Sequence, residues 1–266
     1  MLLDWPKLGW WRWMLGGICA LVALFLLGPI LFIAALSFGD SRWLIFPPPG
    51  WTLDWYRELF ADPRWIEAAW TSLRIGLAVT VLSVALGLLA SIALVRGRFP
   101  GRAALRGLFL TPMILPVVVL GVALYIAFLR VGLAGTFAGF VAAHLVLALP
   151  FSILAISSAL EGFDPAIEDA AVLCGARPWE ARLRVTLPAI SHGLFSAAVF
   201  SFLVSWDEVV VAIFMASPTL QTLPVRVWTT LRQDLTPVIA AASTLLVLLT
   251  LALMLVAALL RRKRAA

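Results

Sequence analysis

The stretch that decides the fold is Glu168-Asp169-Ala170-Ala171-Val172-Leu173-Cys174-Gly175, followed after nine residues by Val185-Thr186-Leu187-Pro188. It is a polar segment between two long apolar runs, and charged side chains hold it in water. These are Arg177, Glu180, Arg182 and Arg184. Its small residues supply a flat apolar face. We predict about two short helices here, on the surface of a membrane protein, where another protein can dock.

Composition indicates a membrane protein. The chain is 63% hydrophobic and 13% charged, with a mean hydropathy of +1.04, far outside the range of soluble domains. Its net charge of +6 does not indicate nucleic-acid binding, because the basic residues lie at the ends of apolar runs. Two cysteines, Cys19 and Cys174, do not suggest a disulfide framework, and the two histidines lack metal-ligand spacing.

Six apolar runs are candidate membrane spans, since a spanning helix needs roughly 20 apolar residues. Five are uninterrupted: Met14–Phe38, Ile75–Val95, Leu108–Leu129, Leu133–Leu160 and Val238–Leu260. The sixth, Ile190–Ala216, qualifies only if Asp207 and Glu208 are tolerated inside it. We therefore predict an all-α, polytopic membrane protein with six transmembrane helices. The first run is too long for a removable signal peptide and lacks its cleavage site, so we expect a retained anchor.

The basic residues predict the orientation. With six crossings, the N-terminus, residues 96–106, residues 161–188 and the C-terminus share one side. That side carries thirteen of the 20 Lys and Arg residues, and the other side carries the remaining seven. Because cytoplasmic segments are enriched in Lys and Arg, we expect both termini and the 161–188 loop in the cytoplasm.

The 161–188 loop resembles the cytoplasmic coupling loop of bacterial ATP-binding-cassette (ABC) importer permeases. That loop has an acid, two alanines, three residues and a glycine, then nine residues before Ile-x-Leu-Pro. Here Asp169 stands where the family usually has Glu, and Val185 where Ile is usual. The resemblance extends from about Glu67 to Leu260. Two stretches resemble specifically the second permease subunit of spermidine/putrescine importers: Ser205-Trp206-Asp207-Glu208-Val209-Val210-Val211 and Gln221-Thr222-Leu223-Pro224.

The resemblance implies a type I ABC importer permease fold in a bacterial inner membrane. Residues 1–66 would hold the anchor helix (about 14–38) and an outer interfacial segment, 67–260 the permease core, and 261–266 a basic cytoplasmic tail. The implied partners are two copies of a nucleotide-binding ATPase, a second permease subunit forming a heterodimer, an extracytoplasmic substrate-binding protein and the lipid bilayer.

The resemblance also implies how the ATPase is contacted. A helix around Pro165–Cys174 would sit in a groove of the ATPase, with Asp164 as its N-cap and Pro165 at its first position. Gly175 would let the chain turn sharply afterwards. The residues assigned to ATPase coupling are Glu168, Asp169, Ala170, Ala171, Gly175, Leu187 and Pro188.

Asp207 and Glu208 are the second notable feature. A charge inside a span costs about 3 kcal/mol or more, so such residues usually face a cavity and have a function. We predict that Trp206, Asp207 and Glu208 belong to the substrate pathway, with Asp207 lining it most directly and Glu208 paired to a neighbour. Carboxylates and an indole face attract a cationic amine. The alternative is a structural ion pair with Arg226 or Arg232.

Sequence motifs for catalysis are missing. No Gly-x-x-x-x-Gly-Lys-[Ser/Thr] loop occurs, and no hydrolytic triad is grouped. We therefore expect no catalytic residue and no cofactor bound by this chain, with ATP and Mg bound by the partner ATPase.

The predicted function is the permease subunit of a polyamine importer. The alternatives are the same architecture for another small solute, such as an aminophosphonate, and a stand-alone secondary transporter or membrane-embedded enzyme. His144 is expected to form an interhelical hydrogen bond, the alternative being a proton carrier.

Overall fold

The computed structural model describes residues 9–233 and 236–265, which are mostly helical. The α-helices are α1 (Trp11–Leu36), α2 (Asp54–Ala61), α3 (Pro63–Arg96), α4 (Arg102–Leu110), α5 (Val117–Arg130), α6 (Phe137–Glu161), α7 (Pro165–Leu173), α8 (Pro178–Ala181), α9 (Leu187–Ala189), α10 (Ser191–Trp206), α11 (Val210–Met215), α12 (Leu223–Gln233) and α13 (Pro237–Ala265). Within these ranges the extended structure is limited to two isolated bridges. The predicted all-α class is confirmed.

The chain divides into two compact units. One comprises the described residues up to Asp62 together with 229–252, and the other comprises 63–228 with the end of α13. In the first unit, the segment after α1 folds back on itself. Ser37 Oγ lies 2.7 Å from Tyr56 Oη, and Trp55 Nε1 donates to Gly39 O at 2.6 Å. The helix α2 lies within the predicted outer interfacial segment, a few residues after Pro47-Pro48-Pro49-Gly50.

Three long helices form the core of the second unit, where α3, α6 and α10 pack pairwise against one another. The contact surfaces carry small residues, which let helix backbones approach closely in a membrane. A Cβ placed on Gly87 of α3 would lie 2.8 Å from Ser152 Cβ of α6. On α10, a Cβ at Gly193 would overlap Ala159 of α6. Packing in this core therefore depends on the absence of side chains at these positions.

A ring of three buried hydroxyls joins the same helices. Ser152 Oγ on α6 lies 2.7 Å from both Ser83 Oγ on α3 and Ser201 Oγ on α10. Ser201 Oγ closes the ring by donating to Ser83 Oγ at 3.1 Å. All three side chains are fully buried. Each hydroxyl thereby satisfies its hydrogen-bonding capacity inside an apolar environment.

Several predicted spans coincide with helices. Three helices are long and apolar enough to cross a membrane: α1, α3 and α6. They correspond to the predicted runs Met14–Phe38, Ile75–Val95 and Leu133–Leu160, in that order. Only a few residues at the ends of the first and third runs lie outside the helices. Two bent helix pairs raise the possible number to five among the described residues. The run Val238–Leu260 falls on α13, whose side chains from 256 onward lie outside the described part. A total of six spans stays a prediction.

The prolines at 112 and 116 predict a kinked helix over the run Leu108–Leu129, and the structure has two separate helices there. α4 ends at Leu110, a 3₁₀ turn covers Thr111–Met113, and α5 begins at Val117 after a bend of 102°. Pro112 and Pro116 explain the interruption, because proline removes a backbone donor and clashes with the preceding turn.

The run Ile190–Ala216 is interrupted as well. α10 ends at Trp206 and α11 begins at Val210, so a continuous helix through Asp207 and Glu208 is wrong. The physical reason is that carboxylates are expensive to hold along a lipid-facing helix, whereas a break lets them turn toward polar surroundings and backbone donors.

Candidate functional site

The helix α7, which the resemblance assigns to ATPase coupling, begins and ends as its sequence predicts. The Asp164 carboxylate accepts a hydrogen bond from Ala166 N at 2.9 Å, and Pro165 occupies the first helical position. After Cys174 the chain turns at Gly175, whose φ of +96° lies in the region that favours glycine. The predicted cap and turn are confirmed, and their effect is a short rigid helix with defined ends.

The outer surface of α7 is apolar and open to solvent. Leu173 is 88% exposed and Ile167 is 51% exposed. Ala170 is exposed beside them and Ala171 is half-buried, so small side chains leave room for close approach. Further along the loop, Trp179 and Leu183 are exposed, Leu187 is half-buried and Pro188 is exposed. An apolar surface of this kind on a cytoplasmic or aqueous loop is typical of a protein-binding site.

The two adjacent acids of α7 have different surroundings. Asp169 is exposed. The Glu168 side chain is only 20% exposed, and its two oxygens accept hydrogen bonds from Arg182 Nε at 3.1 Å and from Thr186 Oγ1 at 2.8 Å. Arg182–Thr186 is a π-helical turn, one that hydrogen-bonds across five residues. Sequence reasoning missed this link, because nothing in the spacing pairs residue 168 with residue 186.

A second link joins the start of the loop to α3. Arg96, the last residue of α3, donates through Nη2 to the carbonyl oxygens of Leu160 at 3.3 Å and Phe163 at 2.9 Å. Leu160 lies in the last turn of α6, where its carbonyl oxygen also accepts from Phe163 N at 3.3 Å, and Phe163 lies just beyond the helix. The loop therefore emerges from a fixed point, and a cleft lies between that point and Glu168. The cleft is lined by Leu88, Ile92, Arg96, Leu160, Pro165, Glu168, Asp169, Arg182, Thr186, Leu187 and Ile190.

The other predicted site residues lie at the break between α10 and α11. Asp207 and Glu208 line a groove whose opposite wall contains Pro112 and Met113, from the break between α4 and α5. Apolar side chains complete it: Leu147, Phe151, Leu203 and Val204. The interruptions of two apolar runs thus meet at one groove, which brings carboxylates into an otherwise apolar part of the protein.

Asp207 and Glu208 differ in their contacts. Asp207 is exposed, whereas Glu208 is half-buried and its Oε1 accepts a hydrogen bond from Val211 N at 2.7 Å. Glu208 therefore caps the N-terminus of α11, where a negative charge is favourable. Trp206 does not line the groove. It is 2% exposed, and its ring stacks on Phe202 with centroids 5.6 Å apart.

The alternative of an ion pair between these acids and Arg226 or Arg232 stays a prediction. The Arg226 guanidinium sits 5.6 Å from the ring centroid of Trp65. The interhelical role predicted for His144 is confirmed, since its Nδ1 lies 2.9 Å from Ser205 Oγ of α10. The histidine is fully buried between the two helices.

Comparison with known proteins agrees with this architecture. Residues 83–265 match the model of the family described as "Binding-protein-dependent transport system inner membrane component". The putrescine transport system permease protein PotI of Escherichia coli K12 is 32% identical over 83% of this chain and 80% of its own length. The spermidine/putrescine transport system permease protein PotC of Haemophilus influenzae is 32% identical over 81% of this chain and 84% of its own.

A solved structure shares the fold. A chain of a bacterial ABC transporter involved in the import of the acidic polysaccharide alginate superimposes with a TM-score of 0.70, covering 99% of this chain and 98% of the other. At 15% identity this likeness concerns the fold alone. The family match covers well over half of the chain and the relatives align over most of its length. The chain therefore belongs to the inner-membrane components of binding-protein-dependent transport systems.

Proposed function

We propose that this chain is the permease subunit of an ATP-driven importer and that it forms part of the translocation pathway for a polyamine such as putrescine or spermidine. The observation that carries the proposal is α7. It is capped by Asp164, ended by Gly175 and tied down by Glu168, yet it leaves Leu173 almost fully exposed. A helix with fixed ends and an exposed apolar surface is suited to bind a partner and to transmit that partner's conformational change.

The partner that fits is a nucleotide-binding ATPase. Two copies would dock on the permease pair, one of them on this chain, and each would bind ATP and Mg. Asp169, Ala170, Ala171 and Gly175 would form the docking surface around Leu173. Leu187 and Pro188 would lie at its edge, where the loop returns to α10. Since the energy source is the ATPase, this chain needs neither a catalytic residue nor a cofactor.

The remaining partners follow from the orientation that the basic residues favour. Both termini and the 161–188 loop would face the cytoplasm, where the ATPase is found. A second permease subunit would complete the pathway as a heterodimer. A substrate-binding protein would deliver the solute from outside, as the family's description implies.

The polyamine assignment rests on the relatives and on the groove. Two relatives of similar length are named as putrescine or spermidine/putrescine permeases. Asp207 is exposed in a groove whose other lining residues, apart from Glu208, are apolar. A carboxylate there attracts an ammonium group and repels the phosphonate of an aminophosphonate, so the cationic amine is favoured over that alternative. A stand-alone transporter has no use for an exposed coupling helix.

Co-purification with the ATPase subunit tests the first half of the proposal. Leu173→Asp places a charge at the centre of the apolar surface and should abolish recovery of the ATPase. The matched variant Leu173→Met keeps the surface apolar and should retain it. Because the side chain is 88% exposed, neither change disturbs packing within this chain. Equal ATPase recovery with both variants would refute docking at α7.

Uptake tests the second half. The whole transporter and its own binding protein are reconstituted in vesicles and supplied with labelled putrescine, spermidine or an aminophosphonate. ATP-dependent accumulation of a polyamine is expected. Accumulation of the aminophosphonate alone would overturn the substrate assignment while leaving the importer assignment standing. Accumulation without any ATPase subunit would overturn both.

A further inference from the structure

We propose that Glu168 is a positioning residue that connects the coupling helix directly to the base of α10, rather than a contact for the ATPase. The proposal rests on the proposed function, since it concerns how a push on α7 reaches the groove. It starts from the two hydrogen bonds of one carboxylate, to Arg182 Nε at 3.1 Å and to Thr186 Oγ1 at 2.8 Å.

The need for a link arises from the covalent path. From the end of α7 the chain passes through Gly175, α8 and the π-helical turn before it reaches α10. The turn at Gly175, whose φ is +96°, is closed by two backbone hydrogen bonds, from Gly175 N to Val172 O at 2.9 Å and from Ala176 N to Ala171 O at 3.1 Å, and a Cβ added at Gly175 would meet nothing within 4 Å. Glycine is the most flexible residue of the backbone. A displacement of α7 would be absorbed at such a joint if the chain itself were the only connection.

The Glu168 carboxylate bypasses that joint. Arg182 and Thr186 are the first and last residues of the π-helical turn, so the two oxygens hold both of its ends. Thr186 is 4% exposed, and the following residues Leu187 and Ile190 pack into the apolar cluster around Ile156 and Leu160 of α6. Hydrogen bonds to a charged group are stronger than neutral ones, especially when partly shielded from water. Glu168 therefore fixes α7 to a well-packed base.

The position of the Glu168 side chain also argues against its contacting the ATPase. Its side chain is 20% exposed and both oxygens are engaged inside the chain, whereas the next residue, Asp169, is exposed. Arg96 fixes the loop at its other end through the carbonyls of Leu160 and Phe163. α7 is thus held at both sides, to α3 and to the base of α10. Beyond that base the chain bends by 70° at Ile190, and α10 then runs without interruption from Ser191 to Trp206, next to Asp207.

The coupling ratio of the reconstituted transporter tests the proposal. Thr186→Val and Glu168→Gln each weaken the link, and both should retain a full complement of ATPase on co-purification. Solute accumulated per ATP hydrolysed should fall by about tenfold in Glu168→Gln, the size expected for a lost charged hydrogen bond. Loss of the ATPase from Glu168→Gln, with normal retention by Thr186→Val, would overturn the proposal, because it would make Glu168 a docking residue. An unchanged coupling ratio would overturn it as well.

Exchanging the charges at positions 168 and 182 should restore the link. Combining Glu168→Arg with Arg182→Glu keeps an ion pair across the same gap, and a guanidinium at position 168 can also donate to the Thr186 hydroxyl. The combination should recover coupling relative to Glu168→Arg alone. No recovery would contradict the proposed link. Failure of the wild-type chain to co-purify with an ATPase at all would instead refute the proposed function on which the link depends.

Motion of α7 gives a readout that does not need the ATPase. Cys19 and Cys174 are the two cysteines of the chain, so Cys19→Ser leaves a single thiol at the exposed C-cap of α7. A spin label there should become more mobile with Glu168→Gln and with Thr186→Val. Asp169→Asn, which alters the neighbouring exposed carboxylate, should leave the label unchanged. Equal mobility in all four proteins, including the parent, would overturn the link.

Discussion

Ser83 of α3 and Ser152 of α6 lie with their hydroxyl oxygens 2.7 Å apart, and Ser201 of α10 completes a closed ring with both. Between membrane helices there is little hydrophobic driving force, so close packing and hydrogen bonds must hold them together. The ring thus marks the place where the three core helices are fixed in register. Such contacts hold α3, α6 and α10 together in one packed core.

Removal of the central hydroxyl should weaken this core. Ser152→Ala eliminates the hydroxyl that contacts both neighbours, and we expect a loss of about 0.5–1.5 kcal/mol in the free energy of unfolding. The measurement is thermal unfolding in detergent. Ser196→Ala is the control, because Ser196 Oγ donates only to His192 O of its own helix. Equal unfolding temperatures for the two variants would show that the ring does not contribute.

Close approach at Gly87 should be essential. Gly87→Ala places a methyl group 2.8 Å from Ser152 Cβ, so α3 and α6 must separate. We expect destabilisation by about 1–3 kcal/mol, as in other overpacked interiors. Gly107→Ala is the matched control, since a Cβ on Gly107 of α4 meets nothing within 4 Å and alanine favours helix. Thermal unfolding of both variants distinguishes crowding from a general glycine effect, which would lower the two equally.

The turn after α7 should tolerate some residues better than others. Proline fixes φ near −65°, whereas Gly175 requires +96°. Gly175→Pro should therefore distort the end of the coupling helix and cost most of the co-purified ATPase. Gly175→Asn should retain more of it, because asparagine enters positive φ more easily than other side chains. The docking assignment fails if Gly175→Pro recovers as much ATPase as the wild type.

Asp207 and Glu208 should differ in transport. Asp207→Asn removes a charge with little change of shape, and polyamine uptake should fall by about tenfold, the size of one charge-assisted contact. Glu208→Gln should have a smaller effect, because the amide oxygen can still accept the hydrogen bond from Val211 N. Uptake by the reconstituted transporter measures both, and ATPase co-purification controls for assembly. Wild-type uptake by Asp207→Asn would remove Asp207 from the pathway.

The sequence predicts the apolar helices and the coupling helix well because local signals determine them. Long hydropathic runs mark α1, α3 and α6. A cap residue, a proline and a glycine mark the ends of α7 at Asp164, Pro165 and Gly175. Each of these signals acts over a few residues and does not depend on the rest of the chain.

The prolines predict a kink between Leu108 and Leu129 but not a complete break, and the hydrogen-bonded links between helices were missed for a different reason. Pro112, Pro116 and the acids at 207 and 208 are visible signals, but hydropathy averages across them and reports one continuous run. The serine ring and the Glu168 link join residues that are far apart in the chain, which pairwise spacing does not reveal. One sequence pattern does indicate this helix contact: Ser83, Gly87 and Ser91 recur at every fourth position and so share one face of α3.

The π-helical turn at Arg182–Thr186 makes the length of the coupling loop as important as its composition. A π turn holds one residue more than an α turn, so deleting one residue there would produce an ordinary helix. Because the π turn accommodates that extra residue, an insertion or deletion elsewhere in the helical part of this loop has the larger effect: it would rotate everything beyond it by about 100° and shift it by about 1.5 Å. Ser201 and Ser205 would then leave the faces on which they meet Ser152 and His144. Substitutions in this loop should consequently be tolerated far more often than single-residue insertions or deletions.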